Sequence, residues 1–268
     1  MSCRWRSTTL ETVEHACDVL LKLCGKRWMC RGQSRQYPTL LPLIDRELKG
    51  WSRQEVLKRE RRSIRVFQSR ARLFSHPGEE LALTDDLVAL MILRHYGVPT
   101  RLLDWSASPH IAAHFAVCDN GDEHGEIWAF DYSRYVRNGA RQWRRWPETT
   151  ADRSGDPDRF KAQLTAFKIK KPPNWFICAF YPEGFARQNA QAGAYTATAR
   201  FGLDHKKAIR KLLRKKTSHH RYVVPARIKK KLKKVLRNEF GIWDGSLFGD
   251  IAAAADAAWK AFPGGFKR

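Results

Sequence analysis

No apolar run in the chain approaches the ~18–20 residues that a bilayer-spanning helix needs. The N-terminus, MSCRWRSTTLETVEH, also lacks the apolar core of a signal peptide. Both absences lead us to expect a soluble, cytoplasmic protein with no membrane role. The six cysteines, at positions 3, 17, 24, 30, 118 and 178, form no CxxC or other paired zinc spacing, which implies reduced thiols rather than a disulfide frame. There is no GxGxxG, P-loop, GxSxG or HExxH, which argues against the nucleotide and hydrolase chemistries those motifs support. Acidic residues are few, 27 against 50 Lys and Arg, for a formal net charge of +23. Self-repulsion on that scale opposes a compact state, so a polyanionic partner is the economical explanation, with nucleic acid ahead of an acidic protein or a membrane surface.

What is present is enough to fold. The chain has 268 residues, 43% of them apolar, with ten Trp and fourteen Phe. That supports a sizeable core, and the sequence has no internal repeat and no clean linker. A single α+β domain over residues 1–268 is the simplest reading.

Thr9 to Lys26 reads as a helix, with Val13, Ala16, Val19, Leu20 and Leu23 as its apolar stripe. Trp28 to Gln33 reads as a buried strand that turns polar at Arg31. There Arg31 is either an ordinary surface arginine or a group presented at the core's edge. A basic helix is expected over about 52–74, with Val56, Ile64, Val66, Phe67 and Phe74 inward. Arg61, Arg62 and Arg65 face outward, on either a solvated face or a phosphate-binding one, and the shortage of acids favours phosphate. Thr84-Asp85-Asp86 caps a helix from Leu87 to His95. Strands are expected at Thr100–Trp105, Gly125–Asp131, Trp175–Tyr181, Gly193–Ala197 and Tyr222–Ala226. Residues 205–216 are strongly basic, with Lys206, Lys207 and Lys211. A second basic helix from Ile228 carries Lys230, Lys231 and Lys234, and with a final helix capped by Asp250 it makes a basic helix and cap over 228–262.

The stretch RHYGVPTRLLDWSASPHIAAHFAVCDN, from Arg94 to Asn120, combines groups able to bind or react with groups that bury. It reads as the wall of a small-molecule or nucleotide pocket. Arg101 and Asp104 lie three apart beside Leu102, Leu103 and Trp105. A charged pair there needs hydrogen bonds to be tolerated; it either shapes the loop or places Asp104 to orient Arg101 or a substrate hydroxyl. His110, His114 and Cys118 share one helix face at a spacing that could ligate zinc. No fourth ligand stands at a recognised spacing, so packing or ligand contact is preferred and no metal is expected.

WMCRGQ, HYGVPTRLLDWSASPHIAAHFA, ARQNAQAGAYT and GIWDGSLFGDI, in that order, closely resemble the FRG domain. Cys30 stands where that family usually has an aromatic before Arg-Gly, and Arg94 where Gln often precedes HYG. More distantly, the aromatic-Arg-Gly strand end, the Ser-containing segment and the late Gln strand resemble ADP-ribosyltransferases of the Arg–Ser–Glu kind. That resemblance implies a split β-sandwich, here with flanking basic helices, and NAD as substrate in the cleft. By it, Arg31 holds a phosphate or ribose of NAD beside Gly32 and Gln33. His95, Tyr96, Thr100, Arg101, Trp105 and Ser106 line the cleft further on, and Gln191 falls near the ribose. Arg31, Asp104 and Gln191 become the catalytic candidates. Gln191 cannot take a proton, so Asp104, Glu183 or His95 has to be the base, and Asp104 is preferred. The expected function is NAD-dependent ADP-ribosylation of nucleic acid, RNA ahead of DNA. A one-domain, highly basic enzyme of that sort suits a toxin of a toxin–antitoxin or phage-defence system, with an inhibiting antitoxin protein as partner. A non-catalytic nucleic-acid-binding module and an NAD glycohydrolase are the alternatives.

Overall fold

A computed structural model describes residues 5–24, 28–72, 80–143, 177–180, 186–198 and 200–248. Glu183, Phe74 and the final helix expected from Asp250 lie outside the described residues. Seven strands are described: β1 (Arg6–Thr9), β2 (Trp28–Gln33), β3 (Leu103–Ser106), β4 (Gly125–Asp131), β5 (Ile177–Phe180), β6 (Gly193–Thr198) and β7 (His219–Val224). They follow the order β1-β7-β4-β2-β3-β6-β5, antiparallel throughout except for the parallel pair β1–β7. The fold is thus α+β, as expected. The two packed sheets of a split sandwich are replaced among these residues by one hydrogen-bonded row, but the row has a weak seam. β2 and β4 share six residue pairs, whereas β2 and β3 meet only at Cys30 and Ser106.

Alternation along β2 and β4 builds two apolar layers. Trp28, Cys30, Ile127 and Ala129 face one side, with α1 (Val13–Cys24), α5 (Pro109–Val117) and α9 (Ala226–Phe240) packed on it. Met29, Trp128 and Phe130 face the other, under α6 (Tyr132–Trp143) and α8 (His205–Leu212). A third cluster joins α3 (Arg53–Ala71) and α4 (Asp86–His95) to Leu102, Tyr195 and Ala197. The short helices α2 (Leu43–Glu47), α7 (Ala186–Ala190) and α10 (Asp244–Leu247) complete the described elements with two 3-10 turns.

Local chemistry explains several boundaries. Ser52 and Glu55 form a reciprocal capping box at the start of α3, a device that stabilises a helix by about 1 kcal/mol. Asp85 accepts from the Leu87 and Val88 amides, and Ser108 caps α5 with Pro109 in its first turn. The expected helix over 9–26 is shorter, because Thr9 belongs to β1 and Thr12 accepts from the His15 amide. The strand expected at Thr100–Trp105 begins only at Leu103. On α3, Val56 and Ile64 are buried while Val66 is exposed; the buried position between those two is taken by Glu60.

α5 lies close on β2 and β4 because its inward residues, Ala112, Ala113 and Ala116, are small and fully buried. The strands are also bare beneath it. A Cβ at Gly32 would overlap the Ala112 carbonyl, and one at Gly125 the Ala116 carbonyl. The glycine of the Arg-Gly pair is there for helix–sheet approach.

Candidate functional site

Beyond the Cys30–Ser106 pair β2 and β3 separate, and the gap opens into a cavity of about 340 Å³. Its walls include Arg31, Gly32, Arg94, His95, Gly97, Asp104, Trp105, Ser106, Phe115, Gln191 and Phe248. All four stretches singled out in the sequence contribute: Arg31 from the first, His95 and Asp104 from the second, Gln191 from the third and Phe248 from the fourth.

The polar centre is a carboxylate between two guanidiniums. Arg94 donates to Asp104 Oδ2 from both Nε (2.9 Å) and Nη2 (2.6 Å). Arg31 crosses the seam, donating from Nη1 to the Asp104 main-chain carbonyl at 2.6 Å, with its Nη1 3.7 Å from Oδ2. Burial alone would raise the Asp104 carboxyl, but Arg94 and Arg31 outweigh it and hold it below its ordinary value. Burial lowers Arg31 to about 10 against the pull of Asp104, so it stays cationic at neutral pH. Arg31 Nε is buried without a hydrogen-bond partner among the described residues. The group carries a net single positive charge in a partly desolvated setting, which suits an anionic ligand.

The end of α4 places two of these side chains. Its last turn carries Arg94 and His95, Tyr96 closes it, and Gly97 follows with φ +79° in the left-handed region that favours glycine. His95 Nε2 lies 2.8 Å from the Tyr195 hydroxyl, whose phenol is pushed strongly up, first by burial and then by the Asp104 charge. On the opposite wall Ser106 Oγ donates to the Gln191 carbonyl (2.8 Å), and Gln191 Nε2 donates to the Leu247 carbonyl (3.1 Å). Phe115 and Phe248 meet edge to face at 6.0 Å. Trp105 is fixed by an Nε1 hydrogen bond to Thr196 Oγ1 (2.8 Å), which also contacts His205 Nδ1 (2.8 Å).

Of the expected cleft residues, Arg31, Gly32, His95, Asp104, Trp105, Ser106 and Gln191 come together, while Gln33, Tyr96, Thr100 and Arg101 are not in the wall. Tyr96 is 65% exposed, and Thr100 is buried. Arg101 does not pair with Asp104. It is buried against Glu60 of α3, bonded through Nε (2.9 and 2.8 Å) and Nη2 to the carboxylate, which ties α3 to the segment before β3. Sequence reasoning missed Arg94 as the partner of Asp104, although its departure from the family's usual Gln was visible. It also missed Phe115, Phe248 and Tyr195. His110, His114 and Cys118 have separate partners: Cys24 Sγ (3.5 Å), Asp244 Oδ1 (3.0 Å) and the Phe115 carbonyl (3.7 Å).

The basic residues divide by role. Arg61, Arg62 and Arg65 on α3, Lys207 and Lys211 on α8, and Lys230, Lys231 and Lys234 on α9 are exposed. Lys206 folds onto the Pro38 carbonyl and lies 5.5 Å from the Trp128 ring centre. Lys229 is buried, donating to the carbonyls of Ser34, Asp119 and Asn120 (2.6, 3.0 and 2.7 Å), and Lys233 donates to Cys118 (3.2 Å). α8 and α9 pack on opposite faces of the sheet, so their charges do not form one stripe.

Residues 26–125 match the family model of the FRG domain. The match takes in β2, α4, β3 and α5, and Gln191 and Phe248 complete the cavity from beyond it. No curated protein and no solved structure matches the chain. Among the described residues no helix is long and apolar enough to cross a membrane.

Proposed function

We propose that this protein is an NAD-dependent ADP-ribosyltransferase that modifies nucleic acid, RNA in preference to DNA. The observation that carries the reading is the cavity at the sheet's seam, where the Arg31–Asp104–Arg94 group faces Gln191 between aromatic walls. Its size lies within the ordinary range for ligand pockets, about 300–1,000 Å³. The two guanidiniums suit a pyrophosphate, and Trp105, Phe115 and Phe248 suit flat heterocycles.

The chemistry divides among these side chains. Breaking the nicotinamide–ribose bond develops positive charge on the sugar, which a fixed carboxylate stabilises. Asp104, held ionised by two arginines, is suited to that electrostatic role and poorly suited to taking a proton. Among the described residues in the wall it is the one carboxylate. The base for the incoming nucleophile is therefore His95, oriented by Tyr195, and Gln191 contacts a ribose hydroxyl. An enzyme of this kind acting on cellular nucleic acid is a toxin of a toxin–antitoxin or phage-defence system, countered by an inhibitor protein.

The same double clamp on Asp104 favours one other reading, a module that binds an anion without chemistry. Incubating the protein with labelled NAD and separate pools of RNA, DNA and protein distinguishes the cases. Label in RNA supports the proposal. Free ADP-ribose alone indicates a glycohydrolase, and no NAD turnover with salt-sensitive RNA binding indicates the non-catalytic module.

A further inference from the structure

Among the basic helices, α9 has features that its charge alone does not convey. Lys229 and Lys233 are committed to main-chain carbonyls of the loop and helix beneath, which clamps the helix down. The residues beside them, Lys230, Lys231, Lys234 and Arg237, are exposed. Lys230, Lys234 and Arg237 recur at helical spacing over about 10 Å of axis, with Lys231 beside them. Glu239 is the one acid in the helix. Gly241, at φ +65°, ends it and turns the chain to Trp243. That ring is 42% exposed, with the Arg237 guanidinium 5.3 Å from its centre. Gly245 lies under it, where a Cβ would collide with the indole. From there the chain runs through Asp244, hydrogen-bonded to His114, to Phe248 in the cavity wall.

We infer that α9 and Trp243 form a track for single-stranded nucleic acid that leads to the cavity. Four cations follow a phosphate backbone, and an exposed indole backed by an arginine is a stacking platform for an unpaired base. A duplex offers such a platform no free base face. A base that is to react inside the cavity has to leave its stack in any case. The arginines of α3 lack this connection, since no residue of α3 lines the cavity, and Lys207 and Lys211 stand on the sheet's other face.

The inference specifies the target of the proposed transferase, but it is tested by binding alone. The full chain is titrated, over a salt series, with three probes: a labelled RNA strand too short to fold, the same strand as a duplex, and polyglutamate. Trp243→Ala is expected to weaken the single strand by about tenfold. Reversing Lys230, Lys231 and Lys234 to Glu lowers its slope of log K against log salt by about 2, and reversing Arg61, Arg62 and Arg65 changes little. Label transfer from NAD to saturating RNA is read in parallel, so its absence counts against the transferase and not against the track. Single-strand binding unchanged in Trp243→Ala, a duplex bound as tightly as the strand, or polyglutamate bound with equal affinity each overturns the inference.

Discussion

Asp104 sits between Arg94 and Arg31, and its chemistry is set by both. Its importance is legible from the sequence, because a carboxylate among Leu102, Leu103 and Trp105 demands partners. The partner is not, because sequence proximity points to Arg101 while the last turn of α4 delivers Arg94, ten residues before Asp104. Arg101 instead satisfies a buried glutamate on a distant helix. Replacing Arg94 with Gln removes the larger of the two charges holding the Asp104 carboxyl down. Its pKa then rises, and NMR titration of the labelled carboxylate measures the shift; an unmoved titration argues against the clamp. His205 gives a prediction of the opposite protonic kind. Burial first, and Arg31 second, lower it to about 3 from an ordinary 6.5. The folded protein thus resists a proton that the unfolded chain accepts. Stability from this group is complete above about pH 6.5 and falls by about 1.4 kcal/mol per unit as pH drops toward 3. Urea melts at pH 7 and 5.5 should show the loss, reduced in His205→Gln. An equal pH dependence in that variant would place the effect in other groups.

Most elements were readable from apolar periodicity and caps. β4 begins and ends where its pattern does, and α3, α4 and α5 start at the residues whose side chains cap them. β1 was not readable: RSTT has no apolar alternation and is held by main-chain pairing with β7, a partner more than 200 residues away. The seam between β2 and β3 was equally hidden, since register depends on how two distant strands meet. Two substitutions test how elements position the cavity. Gly32→Ala forces α5 off the sheet, and we expect a loss of about 3 kcal/mol or more, read by denaturant unfolding. A neutral result would contradict the close approach of α5. Glu60→Ala removes the carboxylate to which the buried Arg101 guanidinium is bonded, which costs about 3–5 kcal/mol. A loss below 1 kcal/mol would mean that the ion pair does not tie α3 to the site.

For the whole molecule, composition raises the expectation of a polyanionic partner, and the fold leaves Arg61, Arg62 and Arg65 of α3, Lys207 and Lys211 of α8, and Lys230, Lys231 and Lys234 of α9 exposed. Composition did not convey their separation onto different faces, or that Lys206, Lys229 and Lys233 are spent on internal carbonyls. Charge counted along a chain says nothing of which side chains the fold has already occupied. The cavity is where residues from four distant stretches meet. The most direct test of its proposed role is NAD turnover by the intact protein against Arg31→Ala, with Lys230, Lys231 and Lys234 reversed together as a comparison. Arg31→Ala is expected to abolish turnover while leaving binding to an RNA strand nearly intact, and the lysine reversals to weaken RNA binding and slow transfer at low RNA, with transfer recovering as RNA is raised. NAD consumed by Arg31→Ala at the rate of the unaltered protein would contradict that role.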